Sequence, residues 1–177
     1  MTIKSERLLL RNLCLNDAPD MFEFTSQPEV SQFLTWEYHK SIKDDERFIE
    51  SCMANDSKLS YHIGIELVEE RKLIGCIHVY GVSLLHKRAE ISFIISPTFQ
   101  GMGYGTEAVN TLIDNLFCQG FIRVQALCIP QNSKSEKLMI RCGMNKEGIL
   151  RNYAILKDGR NYPMILYSIC NYERLKP

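Results

Sequence analysis

Between residues 89 and 117 the hydrophobic pattern of the chain changes period. Ala89-Glu90-Ile91-Ser92-Phe93-Ile94-Ile95 is rich in β-branched and aromatic residues and reads as a strand. After it, Val109, Leu112, Ile113, Leu116 and Phe117 recur at the spacing of one helix face. Between the two lies Gln100-Gly101-Met102-Gly103-Tyr104-Gly105-Thr106-Glu107-Ala108, in which glycine takes alternate positions. The pattern predicts strand, loop and amphipathic helix, in that order.

The same reading orders the rest of the chain. A strand is predicted near Arg7 to Asn12, then a helix that Asn16 or Asp17 caps, with Pro19 early in it. A short helix or turn around Glu29 to Leu34 leads into Trp36-Glu37-Tyr38. Ser41 begins a longer helix through about Asn55, with Phe48, Ile49 and Cys52 on one stripe. Tyr61 to Leu67 and Leu73 to Tyr80 read as a hairpin turning at Glu69-Glu70-Arg71-Lys72. A strand from Ile122 to Cys128, a short helix from Ser133 and a final hairpin turning at Lys157-Asp158-Gly159-Arg160 complete the order. This predicts an α+β fold with one mostly antiparallel sheet. No linker, repeat or low-complexity tract divides residues 1–177, so one domain is expected.

Composition removes several function classes. The 177 residues are 45% hydrophobic, enough for a substantial core, and 21 Lys plus Arg balance 21 Asp plus Glu. That balance argues for no nucleic acid and no membrane surface as partner. No apolar run approaches a membrane span, so a cytoplasmic protein, monomer or homodimer, is expected. The seven cysteines are scattered without a Cys-x-x-Cys pair, and His39, His62, His78 and His86 lack metal-ligand spacing. Neither a disulfide framework nor a metal is expected; Cys118, Cys128 and Cys142 lie in apolar segments and read as small hydrophobes.

The glycine loop carries the candidate chemistry. Glycines let a backbone adopt positive φ and approach a ligand, and the first turn of a helix leaves free N–H groups with partial positive charge. Together they suit a pyrophosphate. A P-loop would need a lysine after the glycines, and a dinucleotide fingerprint would need glycine where Thr106 stands. A tight strand-to-helix connection with no ligand is the alternative.

The loop resembles the acetyl-CoA loop of the GNAT acetyltransferases, Gln/Arg-x-x-Gly-x-Gly/Ala, through Gln100, Gly103 and Gly105. The resemblance covers nearly the whole chain and is nearest to the Rim-type ribosomal-protein N-terminal acetyltransferases. It includes Ser5-Glu6-Arg7-Leu8-Leu9-Leu10-Arg11, Ala89-Glu90-Ile91-Ser92-Phe93 and Asn132-Ser133-Lys134-Ser135 closing on Arg141-Cys142-Gly143-Met144. Glu147-Gly148-Ile149-Leu150-Arg151 follows. What the resemblance implies is a GNAT fold, with helices on both faces of a sheet whose central strands splay. It implies acetyl-CoA as co-substrate, held by Ile94, Ile95, Gln100, Gly101, Met102, Gly103, Tyr104, Gly105, Thr106, Asn132 and Ser135, and an acceptor amine that a ribosomal protein N-terminus would supply.

Acetyl transfer to an amine needs a neutral amine, a polarised carbonyl and a proton for the leaving thiolate. An α-amino group with a pKa of about 8 is roughly a tenth neutral at pH 7, far more than a lysine near 10.4. Glu90 is the candidate base, because alternation places it with Arg88 and Ser92, opposite Ala89, Ile91, Phe93 and Ile95. The alternative is a solvated strand residue or an ion pair with Arg88 or Lys87. Ser135 is the second catalytic candidate, since the resemblance places its hydroxyl near the thioester sulfur and Asn132 on the pantetheine arm. Helix capping by Asn132, Ser133 or a Ser133–Glu136 capping box would equally explain these residues. Met139 stands where many relatives carry a tyrosine and cannot donate a proton.

For the acceptor, the resemblance points to Trp36 and Tyr38, with Phe33 and Tyr153, which are also good core residues. Tyr162-Pro163-Met164 replaces a Tyr-acidic pattern common in the family's final strand, and Pro163 suits an edge or bulge. The leading reading is acetylation of a peptide α-amino group by direct attack. A small-amine acetyltransferase acting on a polyamine or aminoglycoside, and a non-catalytic acyl-CoA-binding protein, are the alternatives; Asp44-Asp45-Glu46 is too ordinary a cluster to decide between acceptors.

Overall fold

The computed structural model describes residues 2–174. The first half of the sheet is β1 (Thr2–Lys4), β2 (Leu8–Arg11), β3 (Tyr61–Leu67), β4 (Lys72–Ser83) and β5 (Arg88–Ile95); burial alternates along β2 and is continuous through the middle of β3 and β4, as for strands covered on both faces. β6 (Arg123–Cys128), β7 (Asn145–Ile155) and β8 (Asn161–Cys170) build the second. One sheet results, in the order β1-β2-β3-β4-β5-β6-β8-β7, and every neighbouring pair is antiparallel except β5 with β6. The helices are α1 (Ala18–Thr25), α2 (Ile42–Asn55), α3 (Tyr104–Cys118), α4 (Ser133–Arg141) and the short α5 (Asn171–Arg174).

Each sheet face has its own core. On one, Leu8, Leu10, Ile63, Ile65, Ile77, Val79, Ala89 and Ile91 meet Val109, Leu112, Ile113 and Leu116 of α3 and Met139 of α4. On the other, Leu13 and Leu73 meet Met21 and Phe24 of α1 and Ile49 and Cys52 of α2, with Ile94 packed against them. Each fully buried leucine or isoleucine contributes about 1.5–3 kcal/mol by leaving water. Helices therefore cover both faces, as the resemblance implied. No helix among the described residues is long and apolar enough to cross a membrane.

Several local expectations are refined. β1 was not predicted: three residues are too few for an alternation to register, and Ile3↔Leu10 pairing on β2 is what orders them. The segment from Glu29 to Leu34 is turn, not helix. A 3-10 turn at Leu15–Asp17 precedes α1, and the Asp17 carboxylate accepts the Cys14 N–H at 2.8 Å and pairs with Arg11 at 2.7 Å. Asp44 accepts the Ser41 N–H at 2.9 Å at the start of α2. Pro163 lies opposite an irregularity in the β7–β8 register and beyond the last β6 pair, Cys128↔Ile165, where a missing N–H is tolerated. Of the three cysteines read as small hydrophobes, Cys118 is exposed at the end of α3, whereas burial pushes the Cys128 and Cys142 thiols up to about 11 and 12.

Candidate active site

Parallel β5 and β6 share only three register pairs: Arg88↔Arg123, Ala89↔Val124 and Glu90↔Gln125. Past Glu90 the strands part. Residues 91–95 stay paired with β4, and residues 126–128 with β8, so each keeps one neighbour and leaves a backbone edge facing the gap. Because the two strands run in parallel, their C-terminal ends open to the same side, and the helices that follow, α3 and α4, start there. Their starts touch. A Cβ on Gly105 would lie 2.7 Å from Leu138 Cδ1 and 3.2 Å from Ile95 Cγ1, so glycine at this position serves the packing of α3 rather than a turn.

The loop from β5 to α3 is braced by its neighbours. Ser96 N–H donates to the Ile74 carbonyl at 2.8 Å, and Gln100 Nε2 donates to the Ile95 carbonyl at 3.0 Å. Lys134 Nζ donates to Gln100 Oε1 at 3.0 Å, which ties the loop to α4. Gly103 occupies the N-cap position of α3 with φ +84°, and no side chain caps the helix. Its free N–H groups therefore stay available to an anion. Met102 is 55% exposed beside them. Tyr104 packs near Phe99, and Arg7 lies over its ring at 4.4 Å. Thr106 Oγ1 accepts from Arg141 Nε at 3.4 Å.

Glu90 stands at the base of the gap. It is half-buried, on the face opposite Ala89 and Ile91, and its Oε2 accepts from Gln125 Nε2 at 2.8 Å. The partner here is this neutral donor rather than Arg88 or Lys87, the ion-pair partners that the alternative reading named. On the other side, Tyr80 of β4 is its register partner. Burial, then hydrogen bonding to Glu90, pushes the Tyr80 phenol up. Beyond Tyr80 a series of rings crosses the sheet: Tyr80 stacks on His78 at 4.8 Å, His78 on His62 at 4.0 Å, and Phe48 meets His62 edge-on at 5.5 Å. His39 and then Trp36 continue it at 6.3 and 5.3 Å. Burial, and then the neighbouring His62, push His78 down to about 4, so it is neutral near pH 7. Its Nε2 lies 2.9 Å from Ser60 Oγ.

At the start of α4, Asn132 is the cap: its Oδ1 accepts the Ser135 N–H at 3.1 Å. The Ser133–Glu136 capping box does not form, because Glu136 Oε1 instead accepts the Tyr167 hydroxyl at 2.6 Å. Ser135 is half-buried. Met139, one turn on, is wholly buried in the core and faces no solvent.

Residues 7–145 match the acetyltransferase (GNAT) domain family. The chain belongs to the GNAT acetyltransferases. It is 30% identical over 169 residues to the uncharacterized N-acetyltransferase YoaA of Bacillus subtilis (strain 168), covering 94% of this chain and 95% of that one. The ribosomal-protein-serine acetyltransferase of Escherichia coli (strain K12) is 26% identical over 161 residues, 89% and 90% of the two chains. Among solved structures, the microcin C7 self-immunity acetyltransferase MccE, crystallised with acetyl-CoA and AMP, superposes with a TM-score of 0.84 at 27% identity, covering 94% and 93%. The chain is thus an N-acetyltransferase, and the enzymes of this family use acetyl-CoA.

Of the candidates for the acceptor cleft, Phe33, Trp36 and Tyr38 lie half-buried on the loop between α1 and α2. The tip of the β7–β8 hairpin reaches that loop: Lys157 Nζ donates to Ser31 Oγ at 3.0 Å and pairs with Glu37 at 3.3 Å. Tyr153, on β7, is 54% exposed. Trp36 connects to Glu90 through the ring series, and Tyr38 enters no ring contact among the described residues. His39 Nδ1 lies 2.9 Å from the buried Asp45 Oδ1, off the line of a hydrogen bond, and Thr25 Oγ1 donates to the same oxygen at 2.9 Å. Among the described residues no group of three or more His, Cys, Asp or Glu side chains could hold a metal ion.

The sequence alone missed Gln125, which donates to Glu90, and Tyr80, its cross-strand register partner. Both follow from strand register, which no local spacing reveals. Arg7 was part of a recognised motif but carried no assigned task, and Glu107 none at all.

Proposed function

We propose that the protein acetylates the α-amino group of a protein or peptide chain, a ribosomal protein N-terminus foremost, by direct attack of the amine on acetyl-CoA in a ternary complex. The observation that carries this reading is the position of Glu90 at the last register shared by β5 and β6, where the strand edges part. The gap offers unpaired backbone to an amide-bearing arm, and the uncapped N-terminus of α3 offers N–H donors to a diphosphate. On this reading Ile94 and Ile95 supply the strand edge. Gln100, Gly101, Met102, Gly103, Tyr104, Gly105 and Thr106 form the phosphate loop, and Asn132 and Ser135 line the far side.

Acetyl-CoA supplies an activated acyl carbon. Glu90 accepts a proton from the acceptor ammonium, directly or through one water, so that the neutral amine attacks the acyl carbon and the CoA thiolate leaves as the C–S bond breaks; Tyr80 and Gln125 orient the Glu90 carboxylate. A thiol pKa near 8.5 makes thiolate a fair leaving group, so Ser135 assists without being indispensable. Met139 fills core volume rather than facing the cleft, which weakens the case for a non-catalytic acyl-CoA binder built on that substitution.

The relative from Escherichia coli is named for acetylating a ribosomal protein, which favours a protein acceptor. A polycation would favour an acidic cleft, yet Asp44 is spent on the start of α2 and Asp45 is buried against Thr25. The test is free-thiol release from acetyl-CoA with peptides of different N-terminal residues, polyamines and an aminoglycoside. Turnover on peptides alone supports the reading, and turnover confined to the small amines overturns it.

A further inference from the structure

The segment that opens with Ser5-Glu6-Arg7 has no task in the proposed reaction, yet it reaches the anion loop across about a hundred positions of sequence. Glu107, in the first turn of α3, accepts the Ser5 hydroxyl at 2.7 Å, the Arg7 N–H at 2.8 Å and Arg7 Nε at 2.7 Å. Arg7 Nη2 lies 2.7 Å from Oε2, the same oxygen that accepts Nε, while Oε1 takes the Ser5 hydroxyl and the Arg7 N–H. Arg7 Nη1 also donates to the Met102 carbonyl at 3.1 Å inside the loop, and the guanidinium covers the Tyr104 ring at 4.4 Å. A Cβ on Gly103 would meet Arg7 Nη2 at 3.3 Å.

This arrangement answers an electrostatic difficulty. A carboxylate in the first turn of a helix stabilises an empty helix but repels a diphosphate that docks on the same turn. The Glu107 side chain is only 16% exposed, so water screens it poorly. Arg7 cancels that charge where it stands. By holding the Met102 carbonyl, it also turns the Gly103 N–H to the opposite side of a planar peptide, away from the guanidinium.

We propose that Arg7 is a positioning residue for the diphosphate of acetyl-CoA: with Glu107 it forms a charge-cancelling clasp that keeps the start of α3 attractive to anions and fixes the turn at 101–103. The proposal rests on the reading that this loop binds acetyl-CoA.

The test measures equilibrium binding of acetyl-CoA, and of inorganic pyrophosphate as its competitor, to wild type, Arg7→Gln, Glu107→Gln and the double variant, with KM and kcat for each. Arg7→Gln, which strips a charged partner from a poorly hydrated carboxylate, weakens both ligands by about ten-fold or more and raises KM for acetyl-CoA with kcat little changed. The double variant recovers much of that loss, because no unpaired carboxylate remains. Should Arg7→Gln fail to fold, Glu107→Gln still decides. It leaves a free guanidinium beside the loop, so it binds acetyl-CoA at least as tightly at low salt and with a steeper salt dependence. Unchanged affinity in Arg7→Gln, a double variant as weak as Arg7→Gln, or weaker binding in Glu107→Gln overturns the clasp. Wild type that binds pyrophosphate but not acetyl-CoA would overturn the acetyl-transfer reading instead, and the pyrophosphate series would still judge the clasp.

Discussion

Gln125 Nε2 donates to Glu90 Oε2 at 2.8 Å across the last register that β5 and β6 share. A carboxylate only accepts, so the amide presents its NH2 end and holds the Glu90 side chain toward the opening between the strands. Glu90→Gln keeps acetyl-CoA binding and lowers turnover by about 10²-fold, the lower end of general-base effects, since an α-amine needs only modest help. The loss grows at lower pH, where more amine is protonated. Gln125→Leu removes one donor and costs about 1 kcal/mol, roughly five-fold in turnover. A pH–rate profile for each variant checks both; an unaltered profile in Glu90→Gln removes Glu90 from the chemistry.

Gly103→Val should abolish acetyl-CoA binding. The position has φ +84°, and the new Cβ would crowd Arg7 Nη2 at 3.3 Å. Forcing a β-branched residue into that backbone costs of order 1–3 kcal/mol. Thermal unfolding reads the strain and a binding titration the ligand; a folded variant with normal affinity sinks the loop assignment.

Ser135→Ala slows turnover by about ten-fold at most, because the leaving thiolate needs little assistance. Met139→Tyr gains nothing in rate and loses about 1–3 kcal/mol of stability, since Met139 is wholly buried and the extra volume overpacks the core. Steady-state rates and urea midpoints decide. An inert Ser135→Ala that still binds acetyl-CoA refutes the first expectation, and a faster Met139→Tyr the second.

Acid should destabilise the protein in two stages. His78 has a folded pKa of about 4 against an ordinary 6.5, so between these values the unfolded chain binds more protons and stability falls as pH drops. Glu147 is held down to about 2, first by Arg123 hydrogen bonding and further by Ser168, against an ordinary 4.5. Its contribution is complete above pH 4.5 and fades as pH falls toward 2. Urea midpoints from pH 7 to 3 test the two stages separately. His78→Phe flattens the upper window and Glu147→Gln the lower; curves that keep both slopes in these variants contradict the assignment.

Local pattern was a good guide to elements and to faces. The bounds read for Tyr61–Leu67 are those of β3, and the stripe at Phe48, Ile49 and Cys52 is the buried side of α2. Alternation alone put Glu90 opposite Ala89 and Ile91, which are 1% exposed. What local pattern could not carry was pairing across distance. Tyr80 and Gln125 meet Glu90 because of register, and Glu107 meets Arg7 across 100 positions. The cap of α4 was ambiguous for a related reason: Glu136 is claimed by Tyr167, a residue 31 positions away, and leaves capping to Asn132.

The parting of β5 from β6 also leaves a weak seam in the sheet. The two halves of the sheet are joined by three residue pairs, as few as tie the edge strand β1 to β2. Local opening follows the weakest seam, so backbone amides at 91–95 and 126–128 exchange with solvent ahead of the strand centres around them. On the proposed reading, acetyl-CoA seated between the halves closes that seam as a surrogate strand. At a hundred times its Kd such a ligand adds about 2.7 kcal/mol to the stability of the fold. On that reading, substrate occupancy sets how firmly this seam is held as well as how fast the enzyme turns over.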